Sequence, residues 1–339
     1  MPYIKQQLLK FLIIRFSSIG DIVLTTPVIR CIKLQVAMAQ VHVLTKQGFE
    51  SILNENPFVD KVIATDGSLT DVATTLKNEK YDYIIDLHNN LRSKRIKWML
   101  NKKYFSFDKL NTEKWLLVNL GINRLPDVHI VDRYIDTVKS LNVKNDGNGL
   151  DFFIRKEDEV QLTQLPESHQ QQYIAIVIGA KHSTKILPLP QLISLCKRLN
   201  YPIILLGGKE DTERAATIEN AVGAMIYNAC GKFSLAQSAS LIKQSHLVIT
   251  HDTGLMHIAA AFRKKIISIW GNTIPEFGMY PYLPDLTSNG SALFEINNLP
   301  CRPCSKIGYD KCPLSHFKCM NEIDMNQVAA LASQLIKTD

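Results

Sequence analysis

Long apolar runs are missing from this 339-residue chain. The longest, such as Phe11–Ile14 and Ile203–Leu206, fall far short of the ~20 residues a spanning helix needs. No small-residue cleavage site follows the opening residues, so Lys10–Phe16 reads as a strand and the protein is expected to be cytoplasmic. A large charge of one sign is also missing. Lys and Arg total 39 against 32 Asp and Glu, a net +7. That is too little for a dedicated nucleic-acid binder, so no nucleic-acid partner is expected. It suits an anionic ligand or brief contact with an anionic membrane surface. There is no short-period repeat, no low-complexity tract, no G-x-G-x-x-G and no G-x-x-x-x-G-K-[ST], which excludes solenoids and the usual dinucleotide and P-loop signatures.

What is present is alternation. Short β-branched runs (Lys10–Phe16, Val41–Leu44, Val62–Ala64, Tyr83–Leu87) alternate with amphipathic stretches such as Ile22–Leu34. The second half repeats this with strands at Tyr173–Ile178, Ile203–Leu206, Leu247–Thr250 and Lys265–Ile269, and helices at Leu189–Leu199, Glu210–Val222 and Leu255–Phe262. The pattern predicts α/β structure with two doubly wound, Rossmann-like domains. The polar, Gln-rich stretch Asp158–Gln172 marks the boundary. We assign 1–160 to a first domain, 161–322 to a second and 323–339 to a terminal helix. Ligands in such sheets bind at the carboxyl ends of strands.

Four motifs follow strands directly. In Arg15–Asp21 (RFSSIGD), Gly20 turns the chain and Asp21 opens a helix. Ser and Asp here serve as helix caps or place a carboxylate for general base work. In Gly179–Pro188, small residues let backbone N–H groups approach an oxyanion and Lys185 can neutralise a phosphate. In Gly207–Asp211, Glu210 can accept from ribose hydroxyls or simply complement a helix dipole. In His251–Ala260, a helix begins near Gly254 with His257 on the side of Thr253. His257 is either a ligand or a core histidine.

Together these motifs resemble glycosyltransferase family nine, the ADP-heptose:lipopolysaccharide heptosyltransferase family, in order and spacing over nearly the whole chain. The resemblance implies GT-B architecture, two Rossmann-like domains facing a central cleft. The first would bind the acceptor and the second an ADP-sugar, with inverting transfer and no metal or other cofactor in catalysis. It implies Asp21 as base and Lys185 as diphosphate ligand, with Ser183 and Thr184 as phosphate contacts. Glu210 would hold the ribose, and Asp252, Thr253, Gly254 and His257 the diphosphate and sugar. On the acceptor side it implies Ser18, Gly20, His88, Asn89 and Arg92. The chain departs from the family at Lys185–Pro188, where Ile186 and Leu187 replace the usual basic residue and Trp. A different nucleotide sugar, or a non-catalytic sugar-nucleotide or glycan binder on the same fold, are the competing readings.

Two segments stand outside that scheme. Arg92–Lys103 carries six basic residues and no acid, with Trp98 and Met99 among them. It reads as a solvated helix face, or as a patch for a phosphorylated glycolipid and the inner leaflet of the inner membrane. Cys301, Cys304, Cys312 and Cys319 match a structural Zn site in count, though not in the common paired spacing. An iron–sulfur cluster and a set of free thiols are the alternatives.

Overall fold

The computed structural model describes residues 8–66, 68–284 and 290–337. The chain divides into two compact units. The first runs up to Lys109 and takes up Val128–Phe153. The second holds Leu110–Asp127 and everything from Ile154 onward. Residues 110–127 fall with the second unit, and the terminal helix packs into that unit's core through Val328, Ala332 and Leu335.

In the first unit the order is β1 (Leu9–Ile14), α1 (Ile19–Val23), α2 (Thr26–Gln35), β2 (Ala39–Lys46), β3 (Lys61–Thr65), α3 (Leu69–Asn78), β4 (Tyr83–Asp86), α4 (Leu91–Leu100) and β5 (Lys103–Ser106). These strands form a parallel sheet in the order β3-β2-β1-β4-β5. β1 is apolar throughout its inner half, as a strand covered on both faces must be. The single helix expected over Ile22–Leu34 is split into α1 and α2. Pro27 brings no N–H, and the Thr25 and Thr26 hydroxyls donate back to the carbonyls of Ile22 (2.7 Å) and Val23 (2.8 Å). After β5 the chain passes through α5 (Asn111–Leu120), which falls in the second unit and buries none of its residues, and returns to the first unit with α6 (Ile130–Asp136).

The second unit runs β6 (Ile174–Val177), α7 (Leu189–Arg198), β7 (Ile203–Leu206), α8 (Thr212–Val222), β8 (Ile226–Asn228), α9 (Leu235–Gln244), β9 (Leu247–His251), α10 (Gly254–Ala261), β10 (Lys265–Trp270), β11 (Ala292–Glu295), α11 (Lys318–Asn321) and α12 (Met325–Lys337). Its parallel sheet has the order β11-β10-β9-β6-β7-β8. In each sheet the chain winds outward one way and then reverses. The reversal lies between β1 and β4 in the first sheet and between β6 and β9 in the second. Loops diverge there and leave a crevice at the strand ends. All four motifs follow these sheets' strands, and three of them leave the pairs that flank the reversals.

Candidate functional site

At the first reversal, the loop leaving β1 carries Arg15 to Asp21. Ser18 is the N-cap of α1 and Asp21 its third residue, closing a capping box. The Asp21 carboxylate accepts from the Ser18 amide (3.1 Å) and hydroxyl (2.8 Å). Its other oxygen meets the Arg15 guanidinium at 2.6 Å. Arg15 is 7% exposed. It donates to the Ser17 carbonyl at 3.0 Å, to the Leu87 carbonyl and to the Tyr134 hydroxyl at 2.9 Å, so it cannot swing away. Burial alone would raise the Asp21 pKa. The Arg15 charge and the Ser18 hydrogen bonds outweigh it and hold the carboxyl at about 2. Asp21 is therefore a fixed, ionised carboxylate. Gly20 is buried within α1, one residue before Asp21.

The loop leaving β4 brings His88 beside this pair. Its ring packs edge-on to Phe16 with centroids 5.0 Å apart. Burial, then the Arg15 charge, push its pKa down to about 4, which keeps the imidazole neutral at pH 7. Its Nδ1 is buried and has no hydrogen-bond partner among the described residues. Asn89 is committed elsewhere: its amide donates to the Phe107 carbonyl at 2.9 Å. The Arg92 guanidinium lies 5.1 Å from the Phe16 ring centroid. Fully buried Asp86 is structural, pairing with Lys97 at 2.8 Å and accepting from the Ser93 hydroxyl and the His88 and Asn89 amides.

At the second reversal, Lys185 and Asp252 meet at 2.5 Å. Lys185 closes a short 3-10 turn, Ser183–Lys185, beyond β6, and Asp252 follows β9. The same Asp252 oxygen accepts from the Thr273 hydroxyl at 2.9 Å. Thr253 is the N-cap of α10 and Gly254 its first residue, so the first amides of that helix open beside Asp252. His251 is buried and its Nε2 accepts from the Leu187 amide at 3.1 Å, tying the stretch after Lys185 to β9. Burial, then the Arg214 charge, push its pKa down to about 3. A cation, a carboxylate and open helix amides in one place can receive a phosphate.

The remaining donor-side candidates divide. Ser183 is exposed. Thr184 is not available as a phosphate contact: it is 2% exposed, and its hydroxyl both donates to the Tyr309 carbonyl (3.0 Å) and accepts from the Tyr309 amide (2.8 Å). Glu210 is exposed beside Gly208, where a Cβ would come within 2.3 Å of its carboxylate. The buried partner in that turn is Asp211, which accepts from the Gly208 amide at 3.0 Å and would lie 2.0 Å from a Cβ on Gly179. Glycine at 179 thus makes room for Asp211 and not for a ligand. His257 is 2% exposed, a core position.

The expected structural zinc site is not formed. The four cysteines do line one small cavity, about 20 Å³, together with His316 and Arg302. Among the described residues, however, no group of three or more His, Cys, Asp or Glu side chains is placed to hold a metal ion. Cys319 is drawn into the apolar core on α11 with Met320. Burial, first of all, pushes its thiol up to about 12 and also raises the Cys304 thiol.

Sequence reasoning passed over Arg15, Tyr134 and Thr273. Arg15 was visible as a charge ending an apolar strand. Tyr134 and Thr273 lie 119 and 21 residues from their partners, and only the fold joins them.

The chain's residues 69–307 match the family model for glycosyltransferase family 9 (heptosyltransferase). It is similar to lipopolysaccharide heptosyltransferase 1 of Campylobacter coli, 26% identical over 295 residues that cover 78% of this chain and 84% of that protein. Among solved structures it resembles a glycosyl transferase family 9 protein from Veillonella parvula DSM 2008, with a TM-score of 0.78, 21% identity and coverage of 97% and 98%. It also resembles the E. coli ADP-heptose lps heptosyltransferase II, with a TM-score of 0.74, 20% identity and coverage of 97% and 98%. The two doubly wound units are those of the GT-B fold class, and the chain belongs to glycosyltransferase family 9, the heptosyltransferases.

Proposed function

We propose that the protein transfers a heptose from an ADP-sugar to a hydroxyl of a lipopolysaccharide-core or related glycolipid acceptor, with inversion and without a metal in catalysis. The observation that carries this reading is the pair of ion-paired loops at the two sheet reversals, Arg15–Asp21 and Lys185–Asp252. The names of the relatives supply the sugar, the nucleotide and the acceptor class. Asp21 accepts the proton of the acceptor hydroxyl as that oxygen attacks the anomeric carbon. The bond from this carbon to the diphosphate oxygen breaks, and ADP leaves with the electron pair. A carboxylate held at about 2 is a weak base, but the attacking oxygen becomes strongly acidic as its new bond forms. Lys185 and the first amides of α10 stabilise the charge gathering on the departing diphosphate. Asp252, Thr253 and Gly254 hold the diphosphate and sugar, with His257 behind them; Glu210 and Ser183 serve the ribose and phosphate edges. Ser18, His88 and Arg92 line the acceptor side.

The acceptor reading extends to the membrane. No helix of the described residues is long and apolar enough to cross one. On α4, Leu91 (79% exposed) and Trp98 (86%) share an outward face with exposed Lys94 and Arg95. Apolar side chains flanked by cations suit peripheral contact with an anionic inner leaflet from the cytoplasmic side.

The test is a thermal-shift panel of nucleotides and nucleotide sugars on the wild type and Lys185→Ala. A ligand at 100 times its Kd adds about 2.7 kcal/mol, several degrees of Tm. ADP and ADP-sugars should shift the wild type and lose most of that shift in the variant. A shift with UDP-sugars alone would replace the donor. No shift with any nucleotide would favour a non-nucleotide binder.

A further inference from the structure

The Cys-rich segment 301–319 has no place in the reaction just described, yet it is fastened to the chain neighbour of Lys185 and to the hydrogen-bond partner of Asp252. At one end, the Thr184 amide and hydroxyl donate to the Tyr309 carbonyl at 3.1 and 3.0 Å, and the Tyr309 amide donates to the Thr184 hydroxyl at 2.8 Å. Thr184 is the residue before Lys185. Gly308, at φ +120°, lies so close to the same loop that a Cβ there would come within 2.6 Å of the His182 Cβ. At the other end, Arg302 donates to the carbonyls of Gly271 (2.5 Å) and Thr273 (2.9 Å), and pairs with Glu295 at 2.6 Å. Thr273 in turn donates to Asp252. The contacts close a ring: Lys185, Asp252, Thr273, Arg302, the chain from 302 to 309, Thr184, and Lys185 again. Within it, the Ser305 hydroxyl accepts from the Ile307 (3.1 Å) and Gly308 (2.9 Å) amides and sets the turn that presents Tyr309.

We infer that the Cys-rich segment is a brace that fixes the distance between Lys185 and Asp252, with Thr184 and Arg302 as positioning residues for the donor diphosphate. This rests on the reading of Lys185 as the diphosphate ligand. A flexible lysine loses affinity when its loop is free to wander, because ordering then has to occur on binding. The four thiols line the cavity inside this brace, against Thr184 itself. Donor binding and thiol reactivity are therefore coupled, and coupling of this kind is reciprocal.

The experiment measures ADP affinity by calorimetry and the iodoacetamide alkylation rate of Cys301, Cys304 and Cys312 by mass spectrometry. Thr184→Val should weaken ADP about tenfold while Tm falls only a few degrees, whereas Thr184→Ser, which keeps the hydroxyl, should stay within about twofold of wild type. Saturating ADP should slow alkylation of the wild type. Should Thr184→Val not fold, Gly308→Ala tests the same contact by crowding His182, and should also weaken ADP. Lys185→Ala is the control. If Lys185→Ala loses ADP while Thr184→Val or Gly308→Ala binds it like wild type, the brace is refuted and the donor site stands. If Lys185→Ala itself binds ADP like wild type, both fall. Alkylation unmoved by saturating ADP also overturns the inference.

Discussion

The two sheet reversals carry the same device with its polarity turned round. Each sets one cation against one carboxylate, at 2.6 Å in the first unit and 2.5 Å in the second. In the first, the cation is the anchored partner: Arg15 is buried and spends its remaining donors on Ser17, Leu87 and Tyr134, so the carboxylate of Asp21 is the more exposed member. In the second, the carboxylate is braced by Thr273, and the cation is a lysine on a short turn. Arginine suits the first role because its planar fork bonds several partners at once. Lysine suits the second as a compact charge that can exchange a carboxylate for a phosphate. Under the proposed transfer, the first loop supplies the proton acceptor and the second receives the departing anion.

The largest way to break the comparison is at Asp21. Asp21→Asn keeps the shape and removes the base, and transfer should fall by about 100-fold to 10,000-fold. ADP affinity, set by the other unit, should not change. Turnover near wild type would remove Asp21 from the base role. Arg15→Gln should come next. Arg15 is buried and Asp21 half-buried, so removing the guanidinium leaves a partly enclosed charge unpaired and should lower Tm. It should also change the pH profile. The folded pKa of Asp21 is depressed, so its pairing stabilises the fold above the ordinary carboxylate range and loses that contribution as pH falls toward about 2. Without Arg15 the acid limb of kcat/KM should move up by about one to three pH units. An unmoved limb would show that Arg15 does not set the base.

Lys185→Ala sharpens the other half. A hydrogen bond to a charged group contributes about 1.5–3 kcal/mol, so ADP affinity should fall by about ten- to a hundredfold. Lys185→Arg should recover only part of this, because a planar fork does not replace a point charge on a short turn. Full recovery would mean that charge alone, without position, binds the diphosphate.

The elements that build both half-sites were legible in the sequence, because buried parallel strands leave continuous apolar runs and the functional loops follow them. The short edge strands β5, β8 and β11 were not. KYFS, IYN and ALFE are too brief for a period to show, and their pairing is decided by the neighbouring strand. The residue types at the site were legible too, but not their duties. Thr184 reads like any small hydroxyl in a phosphate loop until Tyr309, 125 residues on, takes both its donor and its acceptor. The cysteines were legible as a cluster. Their spacing did not reveal that Cys319 would be drawn into the apolar core, or that the described residues would hold no group of three or more side chains placed for a metal ion.

The smallest effect separates nucleotide from diphosphate. Glu210 follows β7, one position along from the motif strands at the reversal, and is exposed where Lys185 and Asp252 are partly enclosed. An exposed carboxylate gains little from a hydrogen bond to a ribose hydroxyl, about 0.5–1.5 kcal/mol, since water competes for both groups. Glu210→Gln should therefore weaken ADP by about two- to tenfold and leave inorganic pyrophosphate untouched. Equal gain for both ligands would mean that residue 210 acts through the field on the phosphates. In that case the carboxylate would be repelling them, and its removal would strengthen binding instead of weakening it. The sign of the change, more than its size, tells a ribose contact from a dipole complement at the start of α8.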